Sequence, residues 1–232
     1  MRVGVVADIH ANSVALSVVV DELHNQGIET VIVAGDTVGY YYNILEVRDL
    51  LSDFNLFEVR GNHEDRLLSD CQSELEEYEK KYGSGLRRNK LDLDGTGLDY
   101  VRNLNHPLEI NLIGRKIMIA HGSPWDINEY IYPNSNPLLW ERFLELETDI
   151  LILGHTHHQM FRKIDGVIII NPGSVGQNRS ARSMADWAII DLLAMSVEFR
   201  TTPYSSHSLV DQCNKYDPGL EILTRHLLPE QE

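Results

Sequence analysis

The stretch GHTHHQ (residues 154–159) sets His155, His157 and His158 directly behind the apolar run DILIL. Imidazoles this close repel one another once protonated, so something must hold them neutral or bound. The same setting recurs along the chain. Asp8 and His10 follow VGVVA, Asp36 follows VIVAG, Asn62 and His63 follow LFEVRG, and His121 follows KIMIA. Taken singly, an aspartate behind a strand is ordinarily a turn former or helix cap, and a histidine there a solvated group. Such residues at five strand ends are another matter, because functional groups of α/β sheets gather beyond the carboxyl ends of the strands.

The chemistry follows from the donor set. Carboxylate, imidazole and amide together suit Mn, Fe, Zn, Co or Ni, rather than a soft thiolate metal or an all-oxygen calcium site. Asp8-x-His10 brings two donors to one side of the chain if extended geometry persists past the strand. Asp8, His10, Asp36, Asn62, His121, His155 and His157 are too many for one ion. Two ions about 3.5–4 Å apart that share one carboxylate use them all. Asp36, flanked by Gly35 and Gly39, which let the backbone turn tightly, is the expected bridge. His24, His106, His207 and His226 lack such partners and read as ordinary surface or packing residues.

The elements that must position these groups are legible from periodicity. VGVVA (3–7), VIVA (31–34) and LFEV (56–59) are short apolar runs, as buried strands require. Between them, Leu16, Val19, Val20 and Leu23 mark one face of a helix over Ser13–Gln26, and a second helix is expected over Ile44–Leu51. That alternation predicts parallel pairing with right-handed crossovers. Residues 64–82, with ELEEYEKKY, read as one solvent-facing helix laced with opposite charges. From Leu108 onward strands dominate: LEINLI, KIMIA, DILIL, a hairpin turning at Asp165-Gly166, and the pair DWAIIDL and MSVEFRT, with a helix over Pro137–Glu147 and a helical tail from Ser205.

The 232 residues are expected to form a single domain, with 83–107 and 123–136 as candidate cap or insert loops. The formal net charge of −15 excludes a surface built for long nucleic acid, whereas a small phosphorylated substrate stays compatible because a bound cation reverses the sign locally. Cys71 and Cys213 stand far apart with no CxxC spacing, so a reducing compartment is expected. No apolar run approaches a membrane span and the first residues enter a strand directly, so the reading is a cytoplasmic protein without a membrane partner.

Taken in order, ADIH (7–10), GDTVG (35–39), GNHE (61–64), HGSP (121–124) and GHTH (154–157) resemble the calcineurin-like metallophosphoesterase superfamily, over Arg2 to about Asp191. HGSPWDINEYIYP and NPGSVGQNR are similar to its small prokaryotic phosphodiesterase and diadenosine polyphosphate hydrolase-like branch. The resemblance implies a four-layer α-β-β-α sandwich of two mixed sheets packed face to face, an α/β (α+β) architecture. It also implies two divalent or trivalent transition-metal ions, one held by Asp8, His10, Asp36 and His157, the other by Asp36, Asn62, His121 and His155. The expected reaction is hydrolysis of a phosphodiester or dinucleoside polyphosphate by a hydroxide bridging the ions. His63 then protonates the leaving oxygen or stabilises phosphoryl charge, and Glu64 orients His63 or caps its helix.

Arg60 resembles the phosphate-contacting arginine of phosphatase members, with a surface charge as the alternative. Arg179 and Arg182 are the remaining cations for a polyphosphate tail. Tyr40, Tyr41 and Tyr42 either stack on a nucleobase or form a packed edge, while Tyr130 and Tyr132 could cap the cleft. Asn171 and Ser174 are expected to support the ligand loops. Two other readings stay open: a broad protein phosphatase, and a binding scaffold of the same fold that has lost turnover. In the GHTHHQ stretch His155 and His157 serve different ions and His158 serves none. Replacing His158 with alanine should leave metal content and turnover within about two-fold of the parent, as read by elemental analysis and a phosphodiester assay.

Overall fold

The computed structural model describes residues 1–228. The chain opens with β1 (Arg2–Val6), α1 (Ser13–Asn25), β2 (Thr30–Val33), α2 (Ile44–Leu51) and β3 (Asn55–Glu58). Four helices follow: α3 (Asn62–Leu68), α4 (Gln72–Tyr82), α5 (Gly85–Asp92) and α6 (Gly95–Asn103). Then come β4 (Leu108–Leu112), β5 (Arg115–Ile119), α7 (Pro137–Leu144), β6 (Ile150–Ile152), β7 (Gln159–Ile164) and β8 (Val167–Pro172). β9 (Met184–Asp191), β10 (Ser196–Pro203), α8 (His207–Tyr216) and α9 (Glu221–Thr224) complete the described chain. The expected helical tail is thus present as α8 and α9, and its last residues lie outside the described chain.

Ten strands form two five-stranded mixed sheets, ordered β10-β9-β1-β2-β3 and β4-β5-β6-β8-β7. In each, three parallel strands carry antiparallel neighbours: β1, β2 and β3, with β3 at the edge, beside β9 and β10, and β5, β6 and β8 between β4 and β7. Strand alternation sorts the side chains. Val3, Val5 and Ala7 of the first sheet meet Ile117, Ile119, Ile150, Ile152, Ile168 and Ile170 of the second in one fully buried layer. Val6, Val31 and Val33 point the other way, against Leu16, Val19 and Leu23 of α1 and Val47 of α2. On the outer face of the second sheet, Met118, Leu151 and Ile169 pack on Trp140 and Phe143 of α7. Three apolar layers therefore separate four structural ones, helix, sheet, sheet and helix, as the family resemblance implied.

The middle of the chain departs from expectation. Residues 64–82 are two helices rather than one, because the chain turns extended at Ser69 (ψ 140°) and a new helix begins after Cys71. Leu75, Tyr78 and Tyr82 form an apolar stripe at helical spacing, and Tyr78 is the buried residue of α4, so this helix is docked rather than free in solvent. Residues 83–107 are mostly α5 and α6, whereas 123–136 is irregular. Asn89 of α5 accepts from the Gly39 N–H at 2.9 Å and donates to the Tyr41 carbonyl at 3.1 Å, so this segment braces the loop after β2.

No helix of the described residues is long and apolar enough to cross a membrane. The inter-sheet layer should dominate stability. Truncating the fully buried Ile152 to alanine should cost about 2–5 kcal/mol in chemical denaturation, since neither sheet can close the cavity without lifting off the other.

Candidate metal centre

All seven predicted donors come together where the two sheets meet. Asp8 and His10 lie behind β1, Asp36 behind β2 and Asn62 at the start of α3, after β3. His121 lies behind β5, and His155 and His157 behind β6. All but Asn62 are buried, with Asp8, His10 and His121 fully so. Three groups have their donor atoms within 4.8 Å of one another: Asp8, His10 and His157; Asp36, His121 and His155; and His10, Asp36 and His63. Asn62 Oδ1 is 3.0 Å from His121 Nε2, beside the second group.

The route to this convergence differs from simple strand continuation. Asp8, His10, Asp36, His155 and His157 all have left-handed backbones, with φ between 52° and 69°. The strands stop before them, and each loop coils tightly so that its side chain turns inward. Such backbone is costly for residues with a Cβ, about 1–3 kcal/mol each, and persists where surrounding bonds fix it. Those bonds are present. The Asp8 N–H reaches the Gly35 carbonyl at 3.1 Å, and the His10 N–H reaches that of Asp36 at 2.9 Å. Ser174 Oγ donates to the Asp8 carbonyl at 2.8 Å, and Asn171 Nδ2 to the Gly154 carbonyl and to Thr156 Oγ1. Gly154 serves close approach rather than a left-handed turn, since a Cβ there would sit 2.7 Å from the Ala34 carbonyl.

Three imidazoles are oriented by the same device. Nδ1 of His10, His121 and His157 meets the carbonyls of Val38, Ala34 and Gln177 at 3.2, 2.8 and 2.8 Å, which leaves each Nε2 facing inward. His10 Nε2 and His157 Nε2 then stand 3.2 Å apart, and His157 Nε2 is 3.3 Å from Asp8 Oδ1. Asp8 Oδ1 and His155 Nε2 are buried without a hydrogen-bond partner. Lone pairs that converge in a dry site, with the opposite ring nitrogens tied to carbonyls, fit a transition-metal ion.

The electrostatics agree. Burial, reinforced by His63, drives His10 well below its ordinary value, and burial together with His121 pushes His155 down to about 4. Burial also pushes His63 down to about 4, against the pull of Asp36. His121 goes the other way. Burial opposes its charge, but the adjacent Asp36 carboxylate, 3.2 Å away, and Asp8 hold it up at about 10. For Asp36, burial is outweighed by His121, His63 and His10, so its carboxyl is held well below the usual range.

Glu64 does not touch His63. Its carboxylate receives the backbone N–H groups of Asp36 and Gly61 at 3.0 and 2.8 Å on one oxygen and that of Val38 at 3.0 Å on the other. It caps its own helix and clamps the Asp36 loop at once. Burial and the neighbouring Asp36 push this carboxyl up to about 8.

A cavity of about 190 Å³ opens over the donors, lined by Asp36, Asn62, His63, His155 and His157 with Tyr40, Tyr78, Tyr82, Asn128, Tyr130, Arg66 and Arg179. Arg60 is not among its lining residues; it pairs with Asp65 at 2.8 Å. Arg66, one turn after His63, is the arginine that α3 gives to the cavity. Tyr40 lines the cavity, whereas Tyr41 and Tyr42 bond to the Leu223 carbonyl and to Asp217 and are packed. Tyr130 lies over His155 with ring centroids 4.1 Å apart, and Tyr132 sits away from the cavity near His158. His158 points outward to Ser180, 3.2 Å away. His106, read above as an ordinary residue, accepts the His121 backbone N–H through Nε2 at 3.0 Å. Arg182 reaches the Leu228 carbonyl at 3.0 Å.

A buried Asp/His centre at the junction of two sheets is a site able to hold metal ions. A model of the calcineurin-like phosphoesterase superfamily domain matches residues 1–194, and the chain belongs to that superfamily. It is 29% identical over 220 residues, 87% of each chain, to an uncharacterized protein of Methanocaldococcus jannaschii. A phosphodiesterase of the same archaeon is 24% identical over 173 residues, 75% of this chain and 83% of the other. Among solved structures, a metallophosphoesterase from Sphaerobacter thermophilus superposes with a TM-score of 0.80 at 26% identity, covering 97% of this chain and 98% of that one.

The depressed titration of His155 gives a stability test. Between pH 6.5 and 4 the unfolded chain protonates this histidine and the folded metal-free protein does not, so acidification removes stability from the parent but not from a variant lacking the group. The Tm gap between the metal-free parent and its His155→Gln variant should therefore narrow from pH 7.5 to 4.5 in calorimetry.

Proposed function

We propose that the chain hydrolyses phosphodiesters or dinucleoside polyphosphates with two transition-metal ions, drawn from Mn, Fe, Zn, Ni and Co. The observation that carries this reading is the position of Asp36. Its Oδ2 lies 3.9 Å from His10 Nε2 and 3.2 Å from His121 Nε2, between one donor group that contains Asp8 and His157 and another that contains His155. Asp8, His10, Asp36 and His157 would hold one ion; Asp36, Asn62, His121 and His155 would hold the other. Bound there, the pair supplies a nucleophile near neutral pH and neutralises phosphoryl oxygens.

The chain's own groups do the rest. Arg66 and Arg179 are the cations of the cavity, and a guanidinium suits the phosphoryl oxygens that face away from the donors. Tyr40, Tyr82 and Tyr130 line the cavity beside the donors, and a flat base is the substituent such aromatic walls favour. His63 faces the cavity and bears on the substrate rather than holding metal. It acts by donating a hydrogen bond to a substrate oxygen. The similarity to an archaeal phosphodiesterase supports a diester over a phosphoprotein.

His63→Ala should lower kcat by about 10²-fold or more while elemental analysis finds metal content unchanged; lost metal would make His63 a ligand instead. In a panel with added Mn²⁺, bis-p-nitrophenyl phosphate and diadenosine tetraphosphate should be turned over at least about ten-fold faster than a phosphopeptide. Equal rates on all three would remove the preference for diesters.

A further inference from the structure

Helix α4 carries a glutamate- and lysine-rich surface, and its buried residue, Tyr78, serves no apolar core alone. The Tyr78 hydroxyl lies 3.2 Å from Nδ1 of His63, with the two rings nearly perpendicular at 87°. We propose that Tyr78 is a positioning residue that donates its hydroxyl proton to Nδ1 of His63, fixing the tautomer that presents Nε2–H to the substrate.

Each end of the imidazole argues for this direction independently. At Nδ1, the Tyr78 hydroxyl is 6% exposed as a residue and has this nitrogen as its hydrogen-bond partner. A buried hydroxyl needs an acceptor for its proton, and an Nδ1 already carrying hydrogen would leave it none. At the other end, His63 Nε2 stands 3.7 Å from Asp36 Oδ2. An N–H is attracted to a carboxylate there, whereas a bare lone pair is repelled. The two ends therefore select the same tautomer.

The rest of the local packing holds the ring in place. The His63 backbone N–H donates to Asp36 Oδ1 at 2.9 Å, so the start of α3 is tied to the candidate bridging residue. Gly39 leaves room on the Nδ1 side, where a Cβ would lie 2.1 Å from that nitrogen. Tyr78 then closes what Gly39 leaves open. Above its ring, the Arg66 guanidinium sits with Cζ 4.8 Å from the centroid. A cation on the ring face draws charge from the phenol and strengthens it as a donor. Tyr82, one turn further along α4, packs on Tyr78 and on Tyr40, which links the helix to the cavity wall. Docking of α4 thus sets which nitrogen of His63 bears the hydrogen.

The consequence for turnover rests on the role proposed above for His63, but the tautomer does not, and it can be read without metal or substrate. Long-range ¹H–¹⁵N correlation spectra of the metal-free protein near pH 7.5, with His63 assigned by its loss in His63→Gln, should show the pattern of an Nε2–H imidazole. In Tyr78→Phe the same resonances should move toward the averaged pattern of two tautomers. An Nδ1–H pattern in the parent would overturn the tautomer, and an unchanged pattern in the variant would show that Asp36 sets it without Tyr78 and overturn the positioning role. With Mn²⁺ and bis-p-nitrophenyl phosphate, Tyr78→Phe should lower kcat about five- to ten-fold, with KM and metal content within about two-fold, the loss expected for one hydrogen bond. Should Tyr78→Phe fail to fold, the spectrum of the parent alone decides the tautomer. A correct tautomer with unaltered kcat would refute the positioning role while leaving the hydrolase reading intact.

Discussion

Asp36 is a carboxylate kept charged in a place where charge is expensive. It is 1% exposed, and without the imidazoles around it burial alone would neutralise it. Much of the surrounding structure can be read as the means of holding it. His121 shares a proton with it, His63 binds its other oxygen through the backbone, and Glu64 fastens its own N–H. Gly61 has no side chain because a Cβ would fall 2.2 Å from Asp36 Oδ1. Behind that loop, Thr37 donates to the buried Glu58, which Arg48 and Tyr100 also reach, so the strain of one loop is spread over α2, β3 and α6.

The backbone tells the same story. Among the described residues, half of the ten non-glycine positions with left-handed φ are candidate ligands. Hydrogen bonds from neighbouring loops hold these conformations, so the chain itself does much of the shaping of the site. Pre-shaping has an electrostatic side effect, since nitrogen lone pairs aimed at one another have nowhere to relax. A bound ion would relieve that conflict.

How much of this the sequence disclosed depends on range. The strands, α1 and α2, and the seven donors behind five strand ends were visible because apolar period and turn residues are local signals. Two sheets could be expected from the family resemblance alone, since no periodicity says which strand lies beside which. Arg60 illustrates a subtler limit. It adjoins the GNHE motif, yet side-chain direction at a helix start sends it toward Asp65, and Arg66, three positions after His63, shares the face that matters. Tyr78 was hidden by its company, because ELEEYEKKY looks wholly solvated until Leu75, Tyr78 and Tyr82 are taken at helical spacing. For Asp8-x-His10 the geometry differs from expectation: extended backbone would place both side chains on one face, whereas here left-handed turns at both residues aim them inward.

The donors are divided between the sheets. Asp8, His10, Asp36 and Asn62 belong to the first, His121, His155 and His157 to the second, and two of the three-residue groups, Asp8–His10–His157 and Asp36–His121–His155, draw on each. The centre is therefore a clasp. The isoleucine layer brings two half-shells together at one edge, and these two groups are complete only when both halves are in place. Occupancy becomes a report on docking: any event that slides one sheet against the other, by a fraction of a side chain, opens the clasp before it disturbs either sheet.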